Sequence, residues 1–141
     1  GMIPKFRAWI SEADTMTNDL KGIDFENETV VLKKFYWEDG FPVEEEVFEV
    51  EIGNAILMQS TGLKDKNGKE IFEGDIVQFE ECYEVSDFLY INTGIIEWCQ
   101  GGFHVTNRDS VLMEDLLDGD SLDVTIIGNV YENPEILEED E

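Results

Sequence analysis

A mainly β fold is what this sequence predicts, and three observations carry that reading. Runs rich in Val, Ile, Phe, Tyr and Trp recur at roughly ten-residue spacing, bounded by Gly, Asn, Asp and Pro. Two turn dipeptides, Asp39-Gly40 and Asn67-Gly68, stand between such runs. Long amphipathic helical stretches, which a parallel βαβ sheet would need between its strands, do not occur. With 141 residues, 42% of them hydrophobic, the chain has the length and apolar content to bury a core.

The elements follow in chain order. Lys5–Ile10, with Phe6 and Trp9, reads as a first strand, and Ser11–Gly22 as a polar, turn-rich stretch. Thr29–Trp37 is β-branched and aromatic, hence a strand. After Glu38-Asp39-Gly40 a second strand should return across Val43–Ile52. Its hydrophobic phase slips, because Phe48, Val50 and Ile52 do not share a face with Val43 and Val47. A bulge, or pairing surfaces on both faces, would account for the slip. Ala55–Gln59 is too short for periodicity to separate strand from helix.

Asn67-Gly68 predicts a tight type I′ hairpin between Leu63 and Ile71-Phe72. Gly74 bends the chain into Asp75–Glu80, where Asp75, Val77 and Phe79 alternate with Ile76, Gln78 and Glu80. Asp87–Asn92, Gly94–Trp98 and Gly102–Thr106 read as further strands. Ser110 is a suitable N-cap, and Glu114 and Asp115 suit the first turns of a helix, so one short helix is expected over residues 111–117. Asp123–Tyr131 is the final strand, broken at Asn133-Pro134, and Glu138–Glu141 forms an acidic tail. The best internal boundary lies near Gly53–Thr61. It divides a single chain into an N-terminal β-rich part, 1–55, and a C-terminal part, 56–141.

Charge narrows function more than any motif does. Nine Lys and Arg face 34 Asp and Glu, a formal net charge of −25. That field repels phosphate backbones and anionic lipid headgroups, so direct nucleic-acid and membrane-surface binding are not expected. A basic partner, a bound cation or solubility alone remains. No run of about 18 apolar residues is present to span a membrane. Gly1 before Met2 reads as the scar of a removed tag, and a cytoplasmic protein starting at Met2 is expected. Two cysteines, Cys82 and Cys99, fit a reducing compartment, while their spacing leaves a bridge open.

Three blocks stand out together: Met2-Ile3-Pro4-Lys5-Phe6-Arg7-Ala8-Trp9, the long stretch from Leu57 to Val77 containing Asp65-Lys66-Asn67-Gly68-Lys69-Glu70 and Gly74-Asp75-Ile76-Val77, and Ile127-Gly128-Asn129-Val130-Tyr131-Glu132-Asn133-Pro134-Glu135. In order and wording they resemble the YopX family of phage and prophage proteins. The resemblance implies a mainly β fold whose C-terminal part is an SH3-like barrel. It carries no catalytic residue onto this chain.

Candidate sites are sparse. His104 is the sole histidine and would need both Cys82 and Cys99 to build a zinc site, without the usual ligand spacing. Glu44-Glu45-Glu46, Glu80-Glu81 and Asp118–Asp123 are the densest carboxylate runs. Asp118, Asp120 and Asp123 lack the fixed ligand positions of an EF-hand loop. Lys64, Lys66 and Lys69 gather a third of the positive charge at one hairpin, either for an acidic partner or to guard a sheet edge. Trp9, Trp37 and Trp98 are expected mostly in the core. No catalytic, cofactor-binding or metal-binding residue is assigned. The expected function is non-enzymatic binding of a host or phage protein. The alternatives are an acidic DNA mimic that inhibits a host nucleic-acid enzyme, and a metal-assisted hydrolase using clustered carboxylates. Self-association into a homo-oligomer is left open.

Overall fold

The computed structural model describes residues 5–18, 20–82, 89–99, 101–106, 110–112, 116–119 and 121–138. The protein is mainly β, with a curled half-barrel sheet and, among the described residues, one short α-helix. The chain divides into two compact units, Gly1–Met58 and Gln59–Glu141, and passes from one to the other within a strand.

The first unit opens with β1 (Phe6–Ile10) and β2 (Thr15–Thr17), an antiparallel pair. β3 (Leu20–Asp24), β4 (Thr29–Glu38) and β5 (Phe41–Glu51) form a three-stranded antiparallel sheet with β4 in the middle. The stretch expected to be turns thus contains β2 and most of β3. Pairing to β1 and β4 imposes strand geometry on residues of weak intrinsic preference. Asp24 closes the β3–β4 connection. Its carboxylate accepts from the N–H groups of Glu26 and Asn27 and from the Asn27 amide, and these donors, Asn27 first, lower its pKa.

Asp39 and Gly40 have φ of 51° and 84°, as a two-residue type I′ turn demands, and they join β4 to β5. The anticipated bulge exists and sits at Val43, since Tyr36 faces Glu44 while Trp37 faces Pro42. The core of this unit is Ala8, Ile10, Val30, Leu32 and Ala55, with Leu20, Val50 and Leu57 packed against it. A 3-10 turn at Ile52–Asn54 leads into β6 (Ala55–Lys64).

In the second unit the end of β6 pairs with β7 (Glu70–Phe72) across residues 65–69. The Asn-Gly pair does not form the expected two-residue turn. Gly68 has positive φ but Asn67 does not, and Gly68 donates instead to the Asp65 carbonyl. The Asp65 side chain explains the difference, because it accepts from the N–H groups of both Asn67 and Lys69 and so organises a longer loop.

β8 (Asp75–Cys82), β9 (Leu89–Cys99), β10 (Gly102–Thr106), β11 (Ser110–Leu112) and β14 (Thr125–Asn129) make a five-stranded sheet in the order β11-β10-β9-β8-β14. β9 is continuous through Gly94, where two strands were expected. Among the described residues no ladder joins β11 to β14, so pairing does not draw the barrel closure that the resemblance implies. β12 (Leu117–Asp118) and β13 (Ser121–Leu122) form a small hairpin whose β13 pairs in parallel with the end of β6, Ser121 opposite Lys64.

The expected helix at 111–117 is a correction. Ser110–Leu112 pairs with His104–Thr106, Leu117–Asp118 is strand, and residues 113–115 lie outside the description. Cross-strand partners for Val111 and Leu112 outweigh a local capping signal. The short helix is α1 (Glu135–Glu138), which begins directly after Pro134. Ile71, Val77, Phe79, Ile96, Val105, Leu122 and Val124 form the second core.

Candidate functional site

The conspicuous polar motifs of the sequence are engaged in holding the second unit together. Asp65, only 2% exposed, accepts from Asn67, Lys69 and Ile126 N–H groups, so one carboxylate ties the β6–β7 loop to β14. Asp75, equally buried, accepts from the Phe72 N–H at the β7–β8 turn. Glu73 accepts from the Gln59 N–H, and its own N–H donates to the Gln59 carbonyl. The Asn129 side chain accepts from Tyr131 and Glu132 N–H groups and donates to the Glu132 carboxylate. Gly128 admits Asn133, whose Oδ1 would lie 2.7 Å from an added Cβ. A buried carboxylate that accepts several backbone N–H groups, as Asp65 does, is a structural brace.

His104 is buried in β10 with Nδ1 3.2 Å from the Gly102 carbonyl, a satisfied core histidine. Cys99 is a free thiol. Cys82 faces Leu89 in the β8–β9 ladder, ten positions along β9 from Cys99. At roughly 3.3 Å per residue the backbones stand about 33 Å apart, so no bridge joins these two. Among the described residues no three His, Cys, Asp or Glu side chains gather as a metal site. Of the aspartates weighed for calcium, Asp123 pairs with Lys66 at 3.1 Å, Asp118 lies in β12, and Asp120 is outside the described residues. Lys64 and Lys69 are exposed at the same hairpin.

The surface that stands out is the distal half of the β4–β5 hairpin. β3 covers β4 only over Thr29–Leu32, so beyond Leu32 the structure is a two-stranded ribbon. Buried side chains end with it. Phe35, Tyr36, Trp37, Phe41, Val43, Val47 and Phe48 are all exposed, Trp37 to 65% and Phe41 to 72%. The register sorts them onto both faces. Tyr36 and Phe48 share the face of Val30 and Leu32, while Phe35, Trp37 and Val47 occupy the opposite one. Phe35 and Trp37 stack obliquely with centroids 6.4 Å apart.

Carboxylates fringe these rings. The Tyr36 hydroxyl donates to Glu46 at 2.6 Å, and this bond, with a smaller push from the Glu46 and Glu44 charges, raises the Tyr36 pKa. Lys33 approaches Glu45 at 3.6 Å. Trp37 and Trp98 therefore depart from the core placement expected of them. Trp98 is 54% exposed and meets Phe103 edge-on. The hydrophobic phase slip in Val43–Ile52 was the readable sign of this surface, because a strand with apolar residues on both faces has no dedicated core side.

Fold and surface define a small, mainly β protein in which Asp65, Asp75 and Asn129 brace the second unit and exposed aromatic side chains are concentrated on one hairpin. The chain belongs to the YopX family: the family model, described as YopX protein, matches residues 5–138. It is similar to protein EF1440 from Enterococcus faecalis, whose crystal structure superposes with a TM-score of 0.64 at 31% identity, covering 97% of this chain and 99% of that one. Protein yopX from Bacillus subtilis shares the fold, with a TM-score of 0.53 at 24% identity over 92% of this chain and 94% of that one. No curated protein matches the chain. Among the described residues no helix is long and apolar enough to cross a membrane.

Proposed function

We propose that this chain is a non-enzymatic accessory protein of phage type that acts by binding another protein through the distal β4–β5 hairpin. The supporting observation is the exposure of seven large apolar side chains on one two-stranded ribbon. A ribbon of two strands is marginal in water by itself, and large apolar side chains exposed on both of its faces gain burial when a partner covers them. Aromatic anchors with a polar rim match the anatomy of binding hot spots. Asp65, Glu73, Asp75 and Asn129 are engaged in hydrogen bonds within the fold, whereas the hairpin's aromatic side chains face solvent.

The test is affinity capture from bacterial lysate with the unaltered chain and with Trp37→Thr/Phe41→Thr, each compared with Lys69→Ala as a surface control. The expected result is a partner retained by the unaltered chain and the control but lost by the hairpin variant. Equal retention by all three, or no retained protein, would overturn the reading.

A further inference from the structure

We propose that the partner is an extended, basic polypeptide segment that adds a strand to the open edge of β5. This inference rests on the binding role proposed above and specifies its occupant. β5 is the outer strand of its sheet and spans eleven residues, Phe41–Glu51. Apart from Val50 its side chains are all exposed. Among the described residues no strand pairs with the outer side of β5, and such an edge offers a row of main-chain donors and acceptors to an incoming chain. Pro42 has no N–H, so the useful run begins at Val43.

Charge selects the occupant. β5 carries Glu44, Glu45, Glu46, Glu49 and Glu51, distributed over both faces, whereas the two lysines of the hairpin, Lys33 and Lys34, belong to β4. A second copy pairing antiparallel through β5 would set glutamates against glutamates, between molecules that each carry −25. The ladder puts Glu45, Glu49 and Glu51 on one face of β5 with Val47, and Phe41, Phe48 and Val50 on the other with Glu44 and Glu46. An incoming strand with Lys or Arg at alternate positions therefore sets its cations against Glu45, Glu49 and Glu51, while its intervening apolar residues meet Phe41 and Phe48.

Glutamates on an edge also serve to prevent unwanted pairing. That role alone does not account for the exposed Trp37, Phe41 and Val43 beside them, which raise the very hazard such guarding lowers. Carboxylates that repel a copy of themselves and aromatics that attract a partner are both explained by a basic strand.

The probe is an eleven-residue peptide of alternating Lys and Val, matched to the length of β5. Two companions accompany it, one with Glu in place of Lys and one N-methylated at alternate residues along one edge. Binding is followed by calorimetry at low and high salt, and the contact is located by amide hydrogen exchange. The basic peptide is expected to bind, to weaken with salt, and to slow exchange in β5. N-methylation is expected to weaken it by about tenfold or more, since it removes main-chain bonds while leaving charge intact. No binding, equal binding of the N-methylated or Glu peptide, or protection mapping away from β5 would each overturn the proposal. If lysate capture still depends on Trp37 and Phe41 while the peptide fails, the hairpin remains the binding surface and only the basic added strand is lost. If capture does not depend on them, both readings fall.

Discussion

The carboxylate of Asp65 accepts a hydrogen bond from the backbone N–H of Ile126, 61 residues further along the chain, at 3.0 Å. The same group accepts from Asn67 and Lys69 at 2.9 Å each, so a single buried side chain fixes a loop and attaches it to β14. Beside it the Lys66 N–H donates to the Val124 carbonyl.

Asp65→Ala should therefore destabilise the protein by about 3 kcal/mol or more, since it leaves three backbone donors without their charged acceptor. Lys66→Ala, which removes only the exposed pair with Asp123, should cost no more than about 1 kcal/mol. Urea unfolding of both variants checks the contrast. Comparable midpoints for the two would show that Asp65 is not the brace described.

Gly94 lies in the middle of β9, where an added Cβ would sit 2.5 Å from Val105 Cγ1 and 3.1 Å from the Thr106 carbonyl oxygen. Val105 is fully buried, and the second obstacle is backbone, so neither can retreat at low cost. Gly94→Ala should lower stability by roughly 1–3 kcal/mol. Gly53→Ala, with open space around it, serves as the comparison in thermal unfolding.

Trp37→Thr/Phe41→Thr should alter stability by less than about 1 kcal/mol, because exposed side chains carry little folding energy and Thr preserves strand preference. Loss of binding with unchanged unfolding is the expected signature. A large fall in melting temperature would mean that the rings support the fold and would remove the case for a binding surface.

Tyr36 should ionise at higher pH than an ordinary tyrosine, whose pKa is near 10, because its hydroxyl donates to Glu46. The raised value means that the bond's contribution is present below the ordinary tyrosine pKa. It is lost as pH climbs through the raised one. Glu46→Gln should return Tyr36 toward the ordinary value. Carbon NMR of the tyrosine ring across alkaline pH reads both midpoints, and an unchanged midpoint in the variant would contradict the assigned cause.

Much of the architecture was legible because strand periodicity and turn chemistry act over a few residues. Phe6–Ile10, Thr29–Glu38 and Gly102–Thr106 match their expected strands within a residue, and Asp39-Gly40 forms the turn its sequence calls for. The Asn67-Gly68 loop and the segment beginning at Ser110 were misread for a common reason. In each, a partner settled what the local signal had left undetermined: the Asp65 carboxylate in one case, strand β10 in the other. The candidate site was only half legible. A broken phase in Val43–Ile52 marked an irregular strand, yet exposure depends on where neighbouring strands stop.

The sequence by itself determined a mainly β and strongly acidic chain. Those properties follow from composition, short-range periodicity and turn residues, while the likeness to the YopX family rests on the three sequence blocks. Tertiary structure alone decided that the motif carboxylates brace the fold, that His104 is a core residue, and that the aromatic residues of β4 and β5 face solvent. Burial is set by which strands end beside which, and β3 pairs with β4 no further than Leu32.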